Sequence, residues 1–179
     1  MKTLKILNKK FELFIEASEI YEMVEKLAKK LNQDLKGKEV VFLGILNGAF
    51  IFAADLIRKI KIDCQVTFVK MASYKGTLTT GSVETLIGIG DELRNKTVVI
   101  LEDIVDTGLT LENILQQIES HKPAKILVAA LLFKPDACVR DIKIDYIGKE
   151  IPNDFVIGYG LDYNGFGRNI PEIYKVTTT

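Results

Sequence analysis

The chain is poor in the residues that carry much of common catalytic and metal chemistry: it has one histidine and two cysteines. A catalytic triad built on histidine, or a histidine-rich metal site, would have to rest on His121 alone. That residue falls in ESHKP, just before Pro123. A cation suits the end of a helix there, so His121 reads as structural. Cys64 and Cys138 are far apart, form no CxxC pair and lie beside apolar residues. They read as reduced core thiols rather than as a disulfide or a metal site. Charge of one sign is also lacking: Lys+Arg and Asp+Glu number 24 each. No global field draws the chain to nucleic acid or to an anionic membrane, so neither is expected as a partner. Any anion must be held by local geometry. No window is apolar enough to span a bilayer. The N-terminal MKTLKILNKKFELFIEA has no long apolar segment leading to a cleavage pattern, and a cytoplasmic protein is expected.

What is present is an alternation of apolar strands and helices. Ser18 to Leu31 has helical spacing, with Ile20, Val24, Leu27, Ala28 and Leu31 on one stripe and Ser18 as N-cap. Val40 to Leu43 is a doubly buried strand, broken by Asn47-Gly48. Phe50 to Ile60 resumes as a helix apolar almost all round. Val66 to Met71, Val83 to Ile89, Val98 to Leu101 and Ile126 to Phe133 read as strands, and Thr110 to His121 as a helix. Ile142 to Ile147 and Phe155 to Tyr159 are weaker strand segments. This alternation predicts an α/β fold with a parallel sheet and helix crossovers. Ligands of such sheets bind outside the carboxyl ends of the strands.

Two strand-to-helix turns on that rim carry small residues, LNGAF and DTGLT. Each offers backbone N–H groups at a helix N-terminus, where an anion can be held. Two such turns suit a ligand with phosphate groups at two ends. Between them stand Glu102 and Asp103, directly after an apolar run. Carboxylates beside a phosphate nest make sense if they accept from sugar hydroxyls, or hold a divalent cation that the phosphates share. Mg²⁺ suits that role, taking few carboxylates and preferring substrate oxygens and water.

With these residues in view, VVILEDIVDTGLTL closely resembles the phosphoribosyl-pyrophosphate motif of the type I phosphoribosyltransferases. LGILNGAFIFAADL resembles their pyrophosphate loop, and SYKG the start of their flexible lid. LLFKP and DFVIGYGLDYNGFGRN look like the base-binding elements of the hypoxanthine-guanine phosphoribosyltransferases. The matches span Val40 to Arg168. The resemblance implies one domain over residues 1–179. Its parallel-sheet, Rossmann-like core would cover about 35–150, and a small hood would come from 1–15 and 151–179. It implies an enzyme of purine salvage that transfers the phosphoribosyl group from phosphoribosyl pyrophosphate to N9 of a 6-oxopurine. Hypoxanthine, and guanine with it, would yield IMP or GMP and pyrophosphate. Homodimers or homotetramers are usual in the family.

The same resemblance assigns residues. Glu102 and Asp103 bind the ribose hydroxyls, and with Asp162 they are the candidate Mg²⁺ ligands. Asp106, Thr107, Gly108, Leu109 and Thr110 wrap the 5′-phosphate, and Asp106 exchanges a proton with purine N7. Leu46, Asn47, Gly48 and Arg168 contact pyrophosphate. Lys134 donates to the purine O6, Phe155 stacks on the ring, the Val156 backbone reads the base edge, and Asp162 lies beside the base. Ser73 and Tyr74 belong to a lid that keeps water from the reacting centre. Two departures stand out: Asn47 replaces a lysine common in the family, and Gly167 replaces an aromatic residue before Arg168. A nucleotide-binding regulator on the same fold, and a pyrimidine or xanthine phosphoribosyltransferase, remain the alternatives. Lys134 with Phe155 favours 6-oxopurines over pyrimidines.

Overall fold

The computed structural model describes residues 2–72, 84–87 and 93–177. A central sheet has the order β5-β4-β3-β6-β7-β8. It is formed by β3 (Val40–Leu46), β4 (Cys64–Ala72), β5 (Glu84–Ile87), β6 (Thr97–Val105), β7 (Lys125–Phe133) and β8 (Tyr146–Glu150). Five strands run parallel, and β5 pairs antiparallel at the β4 edge. The runs VVFLGIL, TVVILEDIV and KILVAALLF form the middle of the sheet because both of their faces are covered. One face packs on helices α1 (Ala17–Asp34) and α2 (Phe50–Ile57), and the other on α3 (Leu109–Ser120).

The chain leaves β3 through α2 toward β4, and leaves β6 through α3 toward β7. These connections run to opposite edges from two adjacent strands. The crevice between the carboxyl ends of β3 and β6 is therefore the topological switch point of the sheet.

A second, antiparallel sheet has the order β1-β2-β10-β9. It joins both chain ends: β1 (Thr3–Ile6), β2 (Lys9–Ile15), β9 (Val156–Ile157) and β10 (Ile173–Val176). Phe11, Ile157 and Tyr174 are its buried centre.

Several element limits differ from the sequence reading, each for a local reason. Helix α1 starts at Ala17 with Glu16 as N-cap, so Ser18 is not the cap. Helix α2 ends at Ile57 rather than Ile60, because Asn32 of α1 captures the chain beyond it. The Asn32 amide donates to the Lys59 carbonyl at 3.0 Å and accepts the Lys61 N–H at 2.6 Å. Nor is α2 buried all round: only Phe52, Ala53 and Leu56 are buried. Strand β6 runs on to Val105 because Ile104 and Val105 still pair with Leu132 and Phe133. Glu102 and Asp103 thus lie within the strand rather than after it, a case of sheet context overriding weak β propensity. Strand β8 begins at Tyr146, not Ile142, because the Asp145 carboxylate itself accepts the Val128 N–H at 3.0 Å. Strand β9 stops at Ile157, where Gly158 (φ 99°) and Tyr159 (φ 50°) leave the extended region.

Candidate active site

The turn after β6 builds a cradle. Gly108 has φ 82° and caps α3, a left-handed conformation that favours glycine. The space is also closed there, since a Cβ would stand 3.1 Å from Arg140 Cβ and 3.2 Å from Cys138 Sγ. Thr107, Leu109 and Thr110 are exposed around it. The first amides of α3 have no partner within the helix. Glu102, Asp106, Thr107, Gly108 and Thr110 line a cleft of about 80 Å³. This is an anion-sized site with an acid at its inner wall.

The two neighbouring acids do not share a face. Along a strand, side chains alternate. Glu102 continues the row of Val98 and Ile100, and Asp103 continues the row of Val99 and Leu101. Glu102 lines the α3 cradle, and its Oε2 is fully buried with no hydrogen-bond partner. Burial, and then the charge of Asp103, push its pKa well above the carboxylate range. A buried acceptor left unpaired is costly, so this atom suits a hydroxyl donor or a cation.

Asp103 faces the loop after β3. A Cβ on Gly48 would lie 1.9 Å from Asp103 Oδ2, so only glycine lets that loop lie on the carboxylate. The loop contains a cis peptide bond between Leu46 and Asn47. Burial raises the Asp103 pKa to about 6, against the lowering effect of the Ile104 and Asp103 backbone N–H groups and of Arg168; Asp162 adds to the rise. Arg168 is itself fixed. Its guanidinium meets Asp162 Oδ1 at 2.5 Å and donates to the Gly160 carbonyl at 2.6 Å. The other Asp162 oxygen accepts the Gly165 N–H at 2.6 Å. A Cβ on Gly160 would lie 2.1 Å from the Gly48 carbonyl oxygen. The segment after β9 therefore rests directly on the loop after β3.

At the end of β7, Lys134 is buried, and its ammonium donates to Asp106 Oδ2 at 2.7 Å. The Lys134 N–H donates to the Val105 carbonyl at 3.0 Å. Val156 is buried in β9, whereas Phe155 is 40% exposed. That ring is braced by Tyr163 at 5.8 Å, edge on, and by Phe11 at 6.4 Å, with Lys9 Nζ 5.2 Å from its centroid.

The structure thus gathers Gly48, Asp103, Asp162 and Arg168 on one side of β6. It gathers Glu102, Asp106, Thr107, Gly108, Thr110 and Lys134 on the other side and at the tip. Ser73 and Tyr74 lie outside the described residues. Among the described residues, no three His, Cys, Asp or Glu side chains converge into a ready metal cage. A larger groove of about 610 Å³ lies elsewhere, along α1 and α2 and lined by Tyr21, Ile51, Asp55 and Tyr159. It holds no cluster of this kind, so size does not mark the chemistry here. The sequence reading missed Lys9, Asp55 and Tyr159. Tyr159 was absorbed into an expected strand, and only the alternation of glycines around it, GYG, hinted at a turn.

Comparison with known proteins identifies the family of the chain. Residues 15–164 match the family described as "Phosphoribosyl transferase domain". The hypoxanthine-guanine phosphoribosyltransferase of Staphylococcus aureus is 39% identical over 163 residues, covering 90% of this chain and 91% of that protein. Its counterpart in Staphylococcus epidermidis is 38% identical over 162 residues, covering 90% of each. Among solved structures, a hypoxanthine-guanine phosphoribosyltransferase of Bacillus anthracis superposes with a TM-score of 0.86 at 38% identity, covering 93% of this chain and 97% of that one. A hypoxanthine phosphoribosyltransferase of Staphylococcus aureus gives 0.87 at 38% identity, covering 93% and 91%.

Proposed function

Because the chain belongs to the phosphoribosyltransferase family, with hypoxanthine-guanine phosphoribosyltransferases as its relatives along nine-tenths of its length, we propose that the rim of β3, β6 and β7 is where it works. The protein is a purine-salvage enzyme that transfers a phosphoribosyl group from phosphoribosyl pyrophosphate to a purine base. The finer assignments are our own reading. The base is a 6-oxopurine, hypoxanthine and guanine with it, attacking through N9. The products are IMP or GMP and pyrophosphate.

The observation that carries this reading is the meeting of Lys134 with Asp106 at the mouth of the Gly108 cradle. A buried ammonium is a strong donor to an oxo group and finds no acceptor in an exocyclic amine. Beside it stands a carboxylate able to exchange a proton with purine N7. Phe155 supplies the stacking face, and the Val156 backbone meets the base edge. Thr107, Gly108, Leu109 and Thr110 hold the 5′-phosphate with backbone and hydroxyl donors, together with Asp106. Glu102 and Asp103 accept from the ribose hydroxyls. As the C1′ bond to pyrophosphate loosens, positive charge grows on the sugar, and these carboxylates stabilise it. Leu46, Asn47, Gly48 and Arg168 receive the departing pyrophosphate.

The unpartnered Glu102 oxygen fits a hydroxyl donor or a divalent cation that keeps most of its ligands as water and substrate oxygens. Glu102 on one face of β6, and Asp103 with Asp162 on the other, would hold Mg²⁺ only through substrate oxygens and water rather than in one shared cage, and the metal would supply charge neutralisation on the pyrophosphate. We place the enzyme in the cytoplasm, in keeping with its free Cys64 and Cys138. Among the described residues no helix is long and apolar enough to cross a membrane. We further propose self-association as a homodimer or homotetramer, which the largely apolar groove beside the exposed Tyr21 supports. The deciding assay incubates the protein with phosphoribosyl pyrophosphate, Mg²⁺ and each purine in turn. Nucleotide should form from hypoxanthine and guanine and not from adenine. No nucleotide from any purine would refute the reading.

A further inference from the structure

Tyr159 stands between the two halves of the fold. Its backbone lies in the segment after β9, at φ 50°, with the N–H donated to the Ile170 carbonyl at 2.7 Å. Its ring is buried against the core, and its hydroxyl donates to Asp55 Oδ2 at 2.7 Å. Asp55 is on α2, the helix that begins immediately after the pyrophosphate loop. The other Asp55 oxygen takes the Arg58 guanidinium. Burial, and then the Asp55 carboxylate, raise the Tyr159 pKa far above the phenol range. The group is therefore a hydrogen-bond donor at any working pH.

The next residue shows what this contact fixes. Gly160 lies so close to Gly48 that a Cβ would come within 2.1 Å of the Gly48 carbonyl oxygen. Gly48 in turn lies on Asp103. The Gly160 carbonyl accepts from Arg168, which pairs with Asp162. Three separate segments are thus stacked in order: the turn after β9, the loop after β3, and the acid of β6. None of these close approaches is itself adhesive, since Gly48 and Gly160 have no side chains with which to hold one another. The Tyr159–Asp55 bond is the polar side-chain tie that runs from this turn to α2.

We propose that the Tyr159 hydroxyl and the Asp55 carboxylate form a strut that positions the pyrophosphate half of the site, holding Gly160, Arg168 and Asp162 in place over Gly48. Neither residue touches substrate. Both are positioning residues. This inference rests on the phosphoribosyl-transfer reading, because it assigns the strut to the donor side of that reaction and not to the base side. Removing the bond leaves the ring packed but frees the turn to lift from the loop. The loss should fall on ligands that bridge the two segments, namely phosphoribosyl pyrophosphate and pyrophosphate, and not on the base held by Lys134.

The test compares Tyr159→Phe, Asp55→Ala and the double variant, using full-length protein with Mg²⁺. Asp55→Asn, which keeps an acceptor, serves as the conservative rescue. Losing one hydrogen bond to a charged group is about a tenfold or larger effect, of which only part reaches the ligand through the turn, so a rise of roughly five- to tenfold is expected in KM for phosphoribosyl pyrophosphate and in the Ki of pyrophosphate. The KM for hypoxanthine and the kcat should stay within about twofold. Because one bond is involved, the double variant should be no worse than the poorer single variant, and Asp55→Asn should lie near wild type. A silent Tyr159→Phe, equal rises in donor and base KM, or additive effects would overturn the strut while leaving the enzyme reading intact. Wild-type protein that makes no nucleotide from any purine would instead sink the enzyme reading, and the strut with it.

Discussion

Lys134 and Asp106 are 2.7 Å apart, an ammonium almost wholly buried against a carboxylate that is 45% exposed. The pair couples the end of β7 to the turn after β6, and so couples base recognition to proton exchange. Asp106→Asn separates the two roles, because the amide oxygen still receives the ammonium. Turnover should fall by about a hundredfold or more, the usual contribution of a positioned acid or base. The KM for phosphoribosyl pyrophosphate should move less than about threefold. Steady-state kinetics in both substrates checks this, and equal losses would contradict the proton-exchange role.

Lys134 carries the preference for an oxo group. Lys134→Gln keeps length and a neutral donor but removes the charge. A hydrogen bond involving a charged group contributes about 1.5–3 kcal/mol, so the KM for hypoxanthine should rise roughly ten- to a hundredfold. Discrimination against adenine should fall, because a glutamine carbonyl can accept from an exocyclic amine. The KM for phosphoribosyl pyrophosphate should be nearly unchanged. Competition assays with hypoxanthine and adenine give the discrimination directly.

Much of this was legible in the sequence, and the limits have physical causes. Apolar runs such as VVFLGIL and KILVAALLF marked the doubly covered strands, since burial on both faces removes polar residues. The cradle was legible because Gly108 and the threonines around it serve local backbone geometry. The separate faces of Glu102 and Asp103 were hidden, because only the neighbouring strand β7 keeps them in extended pairing. Tyr159 and Asp55 were hidden for a different reason. Their bond joins residues 104 apart in sequence, and no local pattern records such a pairing. The capture of the chain after α2 by Asn32 is of the same kind.

Gly48 is required by space rather than by backbone conformation. A methyl group there would meet the Asp103 carboxylate at 1.9 Å. Gly48→Ala should lower the unfolding free energy by about 1–3 kcal/mol, as for other overpacked interiors. Shortening the partner should relieve the clash, so Gly48→Ala with Asp103→Ala should be more stable than Gly48→Ala alone. Urea unfolding of wild type, Gly48→Ala, Asp103→Ala and the double variant measures both effects. Independent, additive losses would show that the two residues do not press on one another.

Asp103 makes a signed prediction about pH. Its pKa rises from 3.8 to about 6 on folding, chiefly through burial. The folded state therefore holds the proton more tightly than the unfolded chain. The protonated acid favours the fold at low pH, and that advantage is lost as pH climbs from about 4 through 6. By the usual conversion of pKa to energy, the loss approaches 3 kcal/mol at full burial. Asp103→Asn has no proton to release, so the stability difference between variant and wild type should grow in favour of the variant from pH 4 to pH 8. Glu102 senses the Asp103 charge, so both proteins also carry Glu102→Gln, which removes that coupled titration from the difference. Paired urea titrations at the two pH values, without ligand, measure it. A difference that stays constant would mean that water reaches Asp103 in the free protein and that the carboxylate is ionised there without cost.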